Sequence, residues 1–127
     1  METKNLKTPF EPQGVTLRLP KRPSWNITEW TGYEPKTTFW DDFSIADMIN
    51  APESVLDTFN RAFRDWHSDV RYMAELALVL NHKGWYHYDN GREILSKVYF
   101  ALWEKLDIWC KDNFTDEAAK YYFDVTD

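Results

Sequence analysis

The chain has 127 residues, 43% of them apolar, 28% charged and 17% aromatic, with a formal charge of −6. That length fits one domain around one core, and the aromatic content excludes a largely disordered chain, which could not offset its ordering entropy. Apolar runs are short, five residues over Leu76 to Leu80 and six over Val98 to Trp103, where a membrane span needs about 20. The negative charge argues against non-specific DNA binding. Met1 to Phe10 is polar, without the apolar stretch of a secretory signal. The single cysteine, Cys110, cannot close an internal disulfide, and both features point to the cytoplasm.

In chain order, texture changes near Phe39. Residues 1–38 hold five of the six prolines, Pro9, Pro12, Pro20, Pro23 and Pro35. Helix interiors reject proline, which lacks the N–H and clashes with the preceding turn, so this arm is expected to be extended and irregular. Val15, Leu17 and Leu19 alternate with Thr16 and Arg18, the period of a short strand. The segment from Trp25 to Tyr33 reads as a second strand or as a β-turn, which leaves room for a short hairpin. Six basic against four acidic residues give the arm +2, whereas nine against seventeen give residues 39–127 a charge of −8.

The body reads as consecutive helices. Ser44 is placed to cap a short helix through Asn50, with Asp47 in the position of a capping-box acid. Pro52 suits the first turn of the next helix, whose stripe runs Val55, Leu56, Phe59, Ala62, Phe63, Trp66. Ser68 and Asp69 restart the chain into a third helix reaching about Tyr88, with Val70, Met73, Leu76, Ala77, Leu80 and Trp85 on its face. Its middle is apolar nearly all round, as in a buried central helix. Asp89-Asn90-Gly91 breaks it. A fourth helix carries Leu95, Val98, Tyr99, Leu102, Leu106 and Trp109, and Thr115 can cap a last one, with Asp116 and Glu117 well placed against its dipole. The expected fold is mainly α: a compact bundle of four to five helices over 39–127, preceded by the Pro-rich arm over 1–38.

Four segments together carry a resemblance: Phe39 to Asp47 (FWDDFSIAD), Glu75 to Lys83 (ELALVLNHK), Leu102-Trp103, and Tyr121 to Asp127 (YYFDVTD). In these the chain resembles small uncharacterised proteins carried on conjugative transposons and prophages of gut bacteria, over about 39–127. The resemblance implies a mobile-element accessory protein and brings no catalytic residues with it. Such cargo often acts against host defences by inhibiting restriction or CRISPR enzymes, an association by genomic company.

Side chains that carry chemistry are few. Asp65, His67 and Asp69 cannot converge on one ion, because residues two apart on a helix point in different directions. Glu75 and His82 are seven apart, close to two turns, and with Tyr86 they form the one candidate acid–base site. No HExxH or paired ExxH motif occurs. Cys110 lies near a core face and reads as a small apolar residue. Four scattered glycines and no GxSxG argue against a phosphate loop, a dinucleotide site or a serine nucleophile. Neither a cofactor nor a metal is expected.

The aromatics stand out: seven Trp, seven Tyr and eight Phe. Trp85-Tyr86-His87-Tyr88 sends rings in successive helical directions, so they cannot all face inward. Trp25, Trp30 and Tyr33 in the arm are candidate anchors for a partner protein, since Trp and Tyr dominate interface hot spots. Asp107, Asp112, Asp116, Glu117, Asp124 and Asp127 form an acidic C-terminal stretch. Of these Asp112, Asp116 and Glu117 are the candidate contacts by which an acidic face would imitate phosphate. The function expected from these features is a non-enzymatic interaction protein of a phage or mobile element, an inhibitor of a host defence nuclease acting by occlusion. Three alternatives stand beside it: a small enzyme using Glu75 and His82, nucleic-acid binding by the arm, and a homodimer. The arm's few basic residues near rings (Arg18, Lys21, Arg22) argue against the nucleic-acid reading.

Overall fold

A computed structural model describes residues 38–49 and 52–126. They form five helices: α1 (Phe39–Ile49), α2 (Pro52–Trp66), α3 (Val70–Asp89), α4 (Glu93–Asn113) and α5 (Asp116–Thr126). Among the described residues there is no strand, and no helix is long and apolar enough to cross a membrane. The arm, with its expected strands and with Trp25, Trp30 and Tyr33, lies outside the described residues.

The first helix starts earlier than the sequence suggested. The Thr38 carbonyl accepts the Asp42 N–H at 2.9 Å, and the Thr38 hydroxyl donates to Asp42 Oδ2 at 3.2 Å. Asp41 and Asp42 sit in the first turn, where acids favour a helix N-terminus. Ser44 is therefore inside α1 rather than its cap, and Asp47 is released from any capping role. The face of α1 carrying Phe39, Phe43 and Ala46 is buried.

Helix α2 starts at Pro52, where the missing N–H costs nothing. Its stripe Val55, Leu56, Phe59 and Ala62 is buried and Phe63 is half-buried. Trp66 departs from expectation. It is exposed at the helix end and set edge-on to Tyr72, ring centroids 4.2 Å apart. His67 Nδ1 lies 3.2 Å from the Phe63 and Arg64 carbonyls at the end of α2, so the Asp65–His67–Asp69 run is a polar helix junction. Asp69 then caps α3 by accepting the Arg71 N–H.

Helix α3 packs against all four other helices, and residues Met73 to Asn81 are buried without a break. Each large apolar side chain so buried contributes about 1.5–3 kcal/mol. Its tightest approach is to α4, where a Cβ on Gly84 would stand 2.5 Å from Phe100 Cε1. The aromatic run that follows divides as its spacing requires: Trp85 packs on Phe100, His87 is buried, and Tyr86 and Tyr88 are exposed. Thr115 accepts the Ala118 N–H and starts α5, which lies on α3 and α4 through Tyr122.

Candidate functional site

The turn after α3 builds one wall of a cleft. Gly91 has φ +76°, the Arg92 N–H bonds to the His87 carbonyl at 2.9 Å, and the Gly91 N–H bonds to the Tyr88 carbonyl at 3.2 Å. These two bonds make a Schellman cap, which needs a residue tolerant of positive φ at Gly91. The cap folds Arg92 back over the last turn of α3. There its Nε donates to His87 Nδ1 at 2.9 Å, and its guanidinium lies over the Tyr86 ring, 5.4 Å from the centroid.

An arginine only donates. His87 Nδ1 therefore accepts with its lone pair, and the imidazole is the neutral tautomer with its proton on Nε2. That nitrogen faces Asp47 Oδ2 at 3.0 Å. Lys83, one turn before His87 on α3, places Nζ 3.0 Å from the same oxygen and 2.8 Å from Ser44 Oγ. At Asp47 Oδ2 both approaches are close but off the line of an aligned hydrogen bond, so distance and charge hold them. The aligned bond goes to the other oxygen: the Tyr99 hydroxyl, from α4, donates to Asp47 Oδ1 at 2.5 Å. The His87 and Tyr99 rings stack, centroids 5.6 Å apart and planes within 12°.

Burial alone would raise the Asp47 carboxyl. The His87 N–H close to Oδ2, the Tyr99 bond to Oδ1 and the Lys83 charge outweigh it and hold Asp47 below the usual 3.8. Burial and the Asp47 charge together push the Tyr99 hydroxyl far above its ordinary range. The cleft, about 390 Å³, is lined by Ser44, Asp47 and Met48 from α1, by His82, Lys83, Tyr86 and His87 from α3, and by Arg92. Burial first, and then the Lys83 charge, lower the His82 imidazole below 6.5, so it is neutral at pH 7.

The structure splits the acid–base candidates. His82 and Tyr86 line the cleft, whereas Glu75 is 1% exposed within α3 and lies about 10 Å further along its axis. Seven residues share a helical face, but the surroundings of that face change along the helix. His87 Nδ1 accepts from Arg92 and Nε2 carries the proton that faces Asp47, so neither nitrogen offers a free lone pair to a substrate proton.

Of the acidic candidates, Asp112, Asp116 and Glu117 are exposed, near the end of α4 opposite Arg92, about 30 Å away along that helix. Asp124 pairs with Lys120 at 2.8 Å. Asp107 departs from the expected acidic stretch. It is buried, with Cys110 and the Tyr122 hydroxyl beside it, and is no part of an acidic surface. Cys110 is buried as expected, and burial followed by the Asp107 charge pushes its thiol up to about 12. Among the described residues no group of three or more His, Cys, Asp or Glu side chains is arranged for a metal.

Sequence alone does not bring Asp47, Lys83, His87, Tyr99 and Arg92 together as one cluster. Only the four-residue spacing of Lys83 and His87 on a helix was a local sign of it. Compared with known proteins, the chain matches no family model, no curated protein and no solved structure.

Proposed function

We propose that this chain is a non-enzymatic interaction protein that docks a partner protein on the face around the α1–α3 cleft. The observation that carries the proposal is the set of side chains at the rim. Met48 is 82% exposed, Tyr86 48%, and the Arg92 guanidinium lies over Tyr86. Met, Tyr and Arg are enriched at protein interfaces, and Tyr and Arg supply most hot spots. Ile45, one turn before Met48 on α1, extends the apolar face. The polar groups beneath are engaged with one another, which suits a preformed binding surface.

The resemblance of 39–127 to mobile-element accessory proteins makes the partner, in this proposal, a host defence nuclease blocked by occlusion. Asp112, Asp116 and Glu117 are a separate acidic face, available to a second contact.

The test is site-specific photo-crosslinking of the full chain in a gut-bacterial lysate, with the probe at position 48 and, in a second preparation, at position 117. The expected result is an adduct with one protein from position 48. The purified partner should then bind Met48→Asp at least about ten-fold more weakly than wild type, a loss of about 1.4 kcal/mol. An affinity unchanged by Met48→Asp but abolished by Asp116→Lys would move the interface to the acidic face and overturn the assignment. A chain that crosslinks to a second copy of itself would replace the partner by a homodimer.

A further inference from the structure

We infer that the cleft recognises a carboxylate, the side chain of an Asp or Glu on the docked partner, seated on the outer nitrogens of Arg92. This rests on the interaction reading above. Charge is the first argument. Lys83 is matched by Asp47 at 3.0 Å, but Arg92 spends its Nε on a neutral imidazole, and among the described residues no acid lies within ion-pair distance of it. A guanidinium at the wall of a cleft with no acid beside it keeps its charge free for an anionic ligand. With His82 and His87 neutral, the residues lining the cleft sum to +1, on a body of −8.

Donor geometry is the second argument. Nε is fixed by His87, so the guanidinium plane is set and the Nη groups remain to bind. Two parallel N–H donors match the two oxygens of a carboxylate. A single positive charge beside the fixed Asp47 carboxylate favours a monoanion over a dianionic phosphate. Met48 and Tyr86 then cover the residues flanking the acid.

The experiment titrates the full chain, labelled for NMR, with the peptide acetyl-Leu-Glu-Leu amide, with its Gln counterpart, and with inorganic phosphate. The Glu peptide should shift the Arg92 Nε–H and Met48 methyl signals and bind at least about ten-fold more tightly than the Gln peptide. Arg92→Gln should remove that preference, and Arg92→Lys, which keeps the charge but not the fork, should retain only part of it. Circular dichroism confirms that each variant is folded. Equal binding of the Glu and Gln peptides, a preference that survives Arg92→Gln, no shift at Arg92, or tighter binding of phosphate than of the Glu peptide would each overturn the carboxylate assignment. If the peptide arm fails while a partner still depends on Met48, the interaction reading stands alone. If the peptide binds as expected and no partner depends on Met48, the carboxylate site stands and the interaction reading falls.

Discussion

Tyr99 on α4 and Tyr122 on α5 are both fully buried, and each sets its hydroxyl against a carboxylate. Their surroundings differ. The Tyr99 partner, Asp47, also faces Lys83 and His87 and opens onto a cleft. The Tyr122 hydroxyl faces Asp107 and the Cys110 thiol in a looser geometry, within the core. The first cluster keeps a carboxylate charged by surrounding it with donors, and that fixes α1, α3, α4 and the Arg92 turn together. The second is a polar spot whose neighbours are mostly apolar. The same pair of residue types thus serves a surface in one place and packing in the other.

Variants can break this contrast, the largest expected effect first. Asp47→Asn should destabilise the fold by about 2–3 kcal/mol in urea unfolding, because Lys83 and His87 lose their shared acid; a loss under about 1 kcal/mol would mean that the cluster is not holding the helices. The same contribution should vanish with acid. Asp47 is held below 3.8 when folded, so its stabilisation is complete above that pH and is lost as pH falls through the folded value. Unfolding free energies of wild type and Asp47→Asn should therefore draw together as pH falls below 3.8, and a constant gap would contradict the assignment.

Tyr99→Phe should cost about 1–2 kcal/mol, since it leaves Asp47 Oδ1 without its donor. Tyr122→Phe should cost less than Tyr99→Phe under the same conditions, and the reverse order would invert the comparison. Smallest among the changes at the cleft, Gly91→Ala should cost about 1 kcal/mol through its positive φ.

Periodicity made most of the bundle legible. The stripes of α2, α3 and α4, the Asp89-Asn90-Gly91 break and the Thr115 cap rest on interactions within a few residues, and those are what a sequence displays. Ser44 misled because its hydroxyl suits a cap as well as it suits Lys83, and only the fold chooses. The site was largely illegible for a related reason. Asp47 meets His87 across 40 positions and Tyr99 across 52, so no local spacing announces the cluster. Glu75 and His82 share a helical face in the sequence, and burial distinguishes its two ends: Glu75 lies in the core and His82 lines the cleft.

The polar groups under the cleft hold one another, which leaves the outer nitrogens of Arg92 to bind. The nitrogen-15 NMR signals of His87 in the full chain at pH 7 test this most directly. A neutral ring with its proton on Nε2 and a coupling between Nδ1 and the Arg92 Nε–H are expected. A proton on Nδ1, or a charged ring, would contradict it, because Arg92 could then no longer donate to His87 and the cleft would have to be rebuilt around a different charge.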